Sequence, residues 1–169
     1  MRKQQHPTIP AFSLVELLVA IAIIGIGLLG IASLATQNIR VQYFNRNSLI
    51  SAQLAQEGLE LARNLRDNDW KSSSPITSSS SLAGLYGDLF TIDYLGNITE
   101  YSQPEDVPFL SIDSNGFYSY DAPGALTHFQ RYLTTECQDN YCLLTCIVTW
   151  QAQGQSVNYE VSDYLYAWQ

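Results

Sequence analysis

The order of hydrophobic and polar residues divides the chain into an apolar stretch, an amphipathic stretch and an alternating region. Residues 12–35 are almost wholly apolar, with Ser13, Glu16 and Ser33 as the polar exceptions. As an α-helix these residues span about 36 Å at about 1.5 Å per residue, more than the roughly 30 Å of hydrocarbon in a bilayer. The pattern therefore predicts a transmembrane helix.

Residues 36–66 continue this helix with an amphipathic pattern, since they contain no Pro and only one Gly, Gly58. The apolar residues form two rows, Ile39, Tyr43, Ile50, Leu54, Leu61 and Leu65 in one and Val41, Ala52, Ala55, Leu59 and Ala62 in the other. Two rows favour two partners, the chain's own C-terminal sheet and a neighbouring helix. A single broad core-facing stripe fits the same pattern. The Asp67-Asn68-Asp69 run predicts the helix end after residue 66.

The remainder of the chain reads as a loop followed by strands. Residues 67–81 form a loop, and its stretch 71–81 is Ser-rich with almost no apolar side chains to bury. Residues 82–169 show alternation with period two and turn signals, including Leu95-Gly96-Asn97 and Gln153-Gly154-Gln155. We predict four to six antiparallel strands packed on the helix, which makes the fold class α+β.

Charge follows the same division. The chain has 169 residues and a formal net charge of −8. Residues 1–66 hold six basic and three acidic side chains, a balance of +3, whereas residues 67–169 hold two basic and thirteen acidic ones, a balance of −11. Nucleic-acid binders need clustered Lys and Arg, so the charge excludes that class.

The N-terminus allows three interpretations. Arg2 and Lys3 precede the apolar stretch, so the positive-inside rule places the N-terminus in the cytoplasm. The first interpretation is a plain membrane anchor, and the second is a secretory signal removed after Ala35. The apolar stretch is longer than the 7–15 residues or so of a signal peptide, and it contains an acid, Glu16. An intramembrane carboxylate is costly and usually functional, which supports a third interpretation.

The stretch Ala11-Phe-Ser-Leu-Val-Glu-Leu-Leu-Val-Ala20 resembles the processing motif of type IV prepilins and type II secretion pseudopilins. In that family a basic leader is cut before an aromatic residue, and a Glu lies five residues into the mature chain. The resemblance implies a leader at 1–11, cleavage between Ala11 and Phe12, and N-methylation of Phe12. Ala11 departs from the pattern, in which Gly is usual.

The resemblance also implies a fold, partners and a location. Glu16 becomes an assembly residue that pairs with the amine of a neighbouring subunit. The partners are prepilin peptidase, other pilin or pseudopilin subunits, an inner-membrane assembly platform and membrane lipid. The fold is the pilin fold, with the N-terminus inside the cytoplasmic membrane and the domain in a periplasmic or extracellular filament. Residues 52–63 look like the helix of minor pilins and I-type pseudopilins.

The three cysteines predict one disulfide. Cys142 and Cys146 are about 13 Å apart along a strand, too far to bridge. Cys137 and Cys142 enclose a four-residue turn that can bring their Cα atoms to about 5.5 Å, so we predict that bridge. Cys146 then remains a buried free thiol. Zinc is disfavoured, because Cys137, Cys142, Cys146 and His128 lack paired C-x-x-C spacing.

No catalytic signature appears in the sequence. It contains no G-x-S-x-G, phosphate loop or metal motif, so we predict neither an enzyme nor a cofactor. The prediction is a filament subunit, either a minor pilin or a pseudopilin. The rival from another class is a monomeric, single-pass, membrane-anchored binding or sensor domain.

Overall fold

A computed structural model describes residues 13–71, 89–120, 124–138 and 141–166. The chain divides into two compact units, residues 1–43 and residues 44–169. We call the second unit the C-terminal domain. The predicted leader and cleavage site lie outside the described residues, as does the predicted Ser-rich loop from residue 72 onward.

A single helix, α1, runs from Leu14 to Lys71 over 58 residues. The first turn carries Glu16 and the last turn carries Lys71, which complements the helix dipole at both ends. The helix continues five residues past the end predicted at residue 66. Asp and Asn each cost only a few tenths of a kcal/mol in a helix interior, too little to stop it. In addition, Arg66 Nε donates a 2.9 Å hydrogen bond to the carboxylate of the adjacent Asp67.

Within the C-terminal domain, the two predicted apolar rows merge into one face of α1. Leu54 from the first row is 2% exposed, and Ala55, Leu59 and Ala62 from the second row are 0–5% exposed. The polar residues Asn47 and Ser51 lie on the same face and are also buried. The single broad stripe is therefore the packing that the structure shows for this part of the helix.

Within the described part of the chain, eight strands form two antiparallel sheets. The strands are β1 Leu89–Ile92, β2 Ile98–Tyr101, β3 Ser111–Ile112, β4 Tyr118–Ser119, β5 Ala125–Leu126, β6 Phe129–Gln138, β7 Tyr141–Ala152 and β8 Gln155–Tyr166. The larger sheet has the order β2-β1-β6-β7-β8, and the smaller one has the order β4-β3-β5. A short 3-10 helix, Pro104–Asp106, lies between β2 and β3. The α+β prediction is confirmed, and the strand count exceeds it because of the smaller sheet.

The β1–β2 and β3–β4 hairpins have the same loop chemistry. Asp93 Oδ1 accepts hydrogen bonds from the backbone N–H groups of residues 95 and 97, each at 2.8 Å. Asp113 Oδ1 accepts the equivalent bonds from residues 115 and 117, also at 2.8 Å. The fourth loop residue is Gly96 in one and Gly116 in the other, with φ of 86° and 88°. An L side chain is strained at such angles, so the Asp-x-x-Gly pattern specifies both turns.

The core lies between α1 and the inner face of the larger sheet. Strand β7 alternates partly exposed and buried residues from Tyr141 to Trp150, as the period-two pattern predicts. Phe90, Leu133, Leu144 and Val148 meet the helix residues in one cluster in which each of the four is fully buried. The opposite, outer face of the sheet carries the intervening residues.

Candidate functional site

The N-terminal part of α1 presents an apolar surface on every side. All residues from 13 to 43 are exposed, and each large hydrophobic side chain from Leu14 to Leu34 has more than half of its surface exposed. An 18-residue window has a mean hydropathy of 2.7. An apolar surface of this extent indicates a membrane or a protein partner, and 22 helical residues span about 33 Å of bilayer.

Glu16 is the one charged side chain between residue 13 and Arg40. It is exposed and lies in the first turn of α1, where the positive end of the helix dipole favours a carboxylate. Because Ala11 and Phe12 lie outside the described residues, their geometry relative to Glu16 is not part of the structure. Pairing of Glu16 with an amine stays a prediction.

Three glycines leave part of this helix without side-chain bulk. At Gly25, Gly27 and Gly30, a Cβ atom would meet nothing within 4 Å among the described residues. Small residues in apolar helices allow another helix to approach closely. This stretch can therefore accommodate a neighbouring helix.

In the C-terminal domain, Gly58 sets the closest approach of α1 to the sheet. A Cβ atom at residue 58 would lie 2.7 Å from Cys146 Sγ and 3.3 Å from Arg131 Cδ. Real Cβ atoms essentially never make contacts shorter than 3 Å, so the helix can pack at this depth only with glycine here. Gly58 is thus a packing requirement at the crossing of the helix over β6 and β7.

Arg131 connects three elements from inside the core. It is 0% exposed, and its guanidinium donates 3.2 Å hydrogen bonds to the backbone oxygens of Leu54 in α1 and Ile92 in β1. Its Nε lies 3.3 Å from the Tyr120 hydroxyl, and Nη1 lies 3.4 Å from a Glu57 carboxylate oxygen. Buried charges persist in proteins when they are paired and hydrogen-bonded in this way.

The protonation states of this cluster follow from the same contacts. Burial alone would lower the pKa of Arg131, but Tyr120 and Glu57 raise that pKa overall, so the guanidinium stays charged. Burial raises the pKa of Tyr120 to about 12, so its hydroxyl keeps its proton. That hydroxyl donates a 2.7 Å hydrogen bond to the backbone oxygen of Arg131. The Arg131 guanidinium is therefore a fixed positive charge at neutral pH, and Glu57 is its ion-pair partner.

A second arginine ties α1 to the edge strand β8. Arg63 donates to Asp163 Oδ2 from Nε at 3.1 Å and from Nη2 at 2.6 Å, and it also pairs with Glu60. Hydrogen bonding to Asp163 raises the pKa of Arg63. These side chains are about one-third exposed or more, so this pair contributes less stability than the buried Arg131 cluster.

The cysteines lie where the sequence predicts them. Cys137 and Cys142 are directly opposite each other in the β6–β7 register and form a disulfide. Cys146 is a free, buried thiol, and desolvation raises its pKa to about 12. Among the described residues, no group of three or more His, Cys, Asp or Glu side chains is arranged to hold a metal ion.

Arg131 is not among the residues predicted from the sequence, although the sequence holds a signal for it. Phe129, Leu133 and Thr135 alternate in β6 and are buried on the inner face. The same period places residue 131 on that face, so a basic side chain at an inward position marks a buried charge. Its hydrogen-bond acceptors are the backbone oxygens of Leu54 and Ile92. The residue types at these two positions do not reveal such a role.

One comparison with known proteins gave a match. Residues 11–32 match the family model described as the prokaryotic N-terminal methylation motif. No curated protein and no solved structure matched the chain. The motif and the α+β architecture are consistent with a type IV pilin-like protein. The motif also implies processing by prepilin peptidase and assembly with other pilins, and it indicates a membrane-anchored structural subunit rather than an enzyme.

Proposed function

We propose that the chain is a minor pilin or pseudopilin, a subunit of a type IV pilus or of a type II secretion-like filament. Prepilin peptidase cuts between Ala11 and Phe12, Phe12 is N-methylated, and the mature subunit assembles through α1. The observation that carries this proposal is the methylation motif at residues 11–32 on a helix whose apolar side chains are exposed all round.

The assembly step rests on two opposite charges in an apolar setting. Cleavage creates an amine at Phe12, and Glu16 supplies a carboxylate in the first helical turn. Each charge alone is expensive to bury in hydrocarbon, while the two together offset much of that cost. Pairing between neighbouring subunits therefore stabilises a filament relative to subunits that hold an unpaired Glu16 in the bilayer.

The location follows from the same residues. Arg2 and Lys3 keep the N-terminus in the cytoplasm, the apolar helix crosses the cytoplasmic membrane once, and the acidic domain is exported. In the cytoplasmic membrane, an inner-membrane assembly platform passes the subunit from membrane lipid into the filament. The Cys137–Cys142 disulfide is consistent with an oxidising compartment for the domain.

The mass of the mature N-terminus tests the proposal. The full chain is expressed with and without prepilin peptidase, and its N-terminal peptide is analysed by mass spectrometry. We expect N-methylated Phe12 with the peptidase and Met1 without it. Met1 in both samples would support the rival, a monomeric membrane-anchored binding or sensor domain, and a start at Thr36 would indicate an ordinary secretory signal.

A substitution at Glu16 tests the assembly step separately. We expect Glu16→Ala to be inserted and processed but absent from sheared filaments, because the amine of a neighbouring subunit loses its partner. Glu60→Ala is the matched control, since it removes an exposed carboxylate from the same helix within the C-terminal domain. Immunoblots of the filament and membrane fractions measure both variants. Filament incorporation of Glu16→Ala at the level of Glu60→Ala would contradict the proposed role.

A further inference from the structure

A cavity of about 370 Å³ lies on the outer face of the larger sheet, the face opposite to α1. Its lining residues are Pro104, Glu105, Gln130, Tyr132, Thr149, Gln151, Ser156 and Asn158. Three of the strands contribute, since Gln130, Thr149 and Asn158 are register neighbours across β6, β7 and β8. The 3-10 helix supplies the remaining wall through Pro104 and Glu105. The volume is in the range of about 300–1,000 Å³ that holds small ligands.

The lining is polar and almost uncharged. It offers three carboxamides, from Gln130, Gln151 and Asn158, and two aliphatic hydroxyls, from Thr149 and Ser156. A carboxamide both donates and accepts hydrogen bonds, and so does a hydroxyl. Glu105 is the one charged side chain in the lining, and none of the lining residues is Lys, Arg or His. Such a wall is suited to ligand groups that both donate and accept.

Part of this wall is held in place by hydrogen bonds. Gln130 Nε2 donates to the backbone oxygen of Val107 at 2.6 Å, and Thr149 Oγ1 lies 3.4 Å from Gln130 Oε1. Tyr132 is 8% exposed, so its ring is fixed by packing and forms an aromatic part of the lining. Fixed side chains lose little conformational entropy when a ligand binds.

The remaining polar groups are free to meet a ligand. Gln151, Ser156 and Asn158 are exposed, and their side chains make no hydrogen bonds to other residues in the part of the chain that the structure describes. They point to the outer face, because Gln151 follows buried Trp150 in β7, while Ser156 and Asn158 alternate in β8 with Val157 and Tyr159, which pack against the core. The cavity thus combines a fixed side and an adaptable side.

The lining argues against other ligand classes. Anionic ligands and nucleic acids need cationic groups, which the lining lacks, and no group of three or more His, Cys, Asp or Glu among the described residues is arranged to hold a metal ion. An extended peptide binds by adding to a free strand edge, whereas the cavity lies on the face of the sheet and is centred on β7, which is paired on both sides by β6 and β8. An apolar ligand would leave the carboxamides and hydroxyls without hydrogen-bond partners.

We propose that this cavity binds an uncharged carbohydrate. Hydroxyl groups of the sugar exchange hydrogen bonds with Gln151, Asn158 and Ser156, and the small exposed part of Tyr132 contacts apolar C–H groups of the sugar. The inference goes beyond the proposed filament function, because it assigns a ligand site to the outer face of the domain. Sugar binding by the single chain, outside any filament, tests it.

The test measures sugar binding by the full chain in phospholipid nanodiscs, without glycoside detergents that would compete for the site. The probes are neutral hexasaccharides of glucose, mannose, galactose and N-acetylglucosamine, with a heparin hexasaccharide as the anionic probe. We expect isothermal titration calorimetry to detect at least one neutral hexasaccharide with a Kd between about 1 µM and 1 mM, and to detect no heparin binding.

Matched variants locate the site. We expect Gln151→Ala with Asn158→Ala to raise the Kd roughly tenfold, the effect of losing about two neutral hydrogen bonds. Gln138→Ala is the control. Gln138 is exposed on the same outer face of the sheet, in β6, but does not line the cavity. A second pair compares Glu105→Gln in the cavity with Glu136→Gln outside it, and we expect only the first to weaken binding.

Each other result would overturn the proposal. Failure of every neutral probe would remove the carbohydrate assignment, and equal losses in the cavity and control variants would remove the location. Heparin binding as tight as that of the neutral sugars would contradict the uncharged ligand. If the cavity variants instead lowered filament incorporation without any sugar binding, the cavity would be a subunit contact. The mature N-terminus tests the filament function independently of all four.

Discussion

Replacing Arg131 with alanine is expected to lower the free energy of unfolding of the C-terminal domain by about 3–5 kcal/mol, the cost of removing one partner from a buried charged cluster. The guanidinium is fully buried and donates to the backbone oxygens of Leu54 and Ile92. Without it, these oxygens lose a donor, the Tyr120 hydroxyl loses a neighbour, and a cavity opens beneath the helix. The variant should therefore detach α1 from β1 first.

Arg63→Ala is the matched control for this prediction. Arg63 also links α1 to the sheet, but its side chain is 37% exposed and its partner Asp163 is 33% exposed. Exposed ion pairs contribute about 0–1 kcal/mol, so Arg63→Ala should cost no more than that. Urea unfolding followed by Trp fluorescence and near-ultraviolet circular dichroism measures both variants. Equal costs for the two would show that burial of Arg131 adds nothing, and Arg131→Lys provides a milder variant if alanine prevents folding.

Gly58→Ala is expected to destabilise the C-terminal domain by about 1–3 kcal/mol through overpacking. Alanine is the better helix former by about 1 kcal/mol, so at an open helix position this change would stabilise. Here the new Cβ atom would lie 2.7 Å from Sγ of Cys146, whose side chain is 0% exposed, so relief of the contact requires a shift within the packed core. A loss of stability in Gly58→Ala would therefore show that residue 58 is tightly packed, and a gain would show that it is not. Gln53→Ala, at an exposed position of the same helix, should change stability by less than about 0.5 kcal/mol.

A second substitution identifies the atom responsible. Cys146→Ala removes the sulfur that the new Cβ meets, so the double variant Gly58→Ala with Cys146→Ala should be more stable than the sum of the single changes predicts. We expect a coupling of about 1 kcal/mol or more from a double-mutant cycle in urea. Additive effects would mean that contact with Arg131 Cδ, at 3.3 Å, determines the cost instead.

Local pattern was sufficient for much of the fold. The β1–β2 turn and the β7–β8 turn follow from short Gly-containing loops between alternating strands, because such turns are specified by a few adjacent residues. The β3–β4 turn has the same Asp-x-x-Gly chemistry at Asp113 and Gly116. The Cys137–Cys142 disulfide was also predictable, since only four residues separate the two cysteines.

Features that depend on distant residues were not predictable in the same way. Strands β3 and β5 are two residues long, too short for alternation to be recognised. They exist only as a pair, with Ser111 opposite Leu126 in the smaller sheet. The merging of the two apolar rows on α1 depends on the width of the sheet beneath them. The N-terminal motif is local and was found, whereas the cavity at Tyr132 and Asn158 exists only after β6 and β8 are aligned with β7.

The burial of Cys146 has a consequence for how the disulfide is maintained. Three cysteines permit three different single disulfides, and interchange between them requires a thiolate as the attacking group. Burial raises the pKa of Cys146 to about 12, so at neutral pH this side chain is almost wholly the thiol and not the attacking thiolate. Docking of Gly58 against its sulfur also blocks approach from the helix side. Once α1 has docked, the folded chain is protected against disulfide scrambling, so any wrong pairing must be corrected before that step.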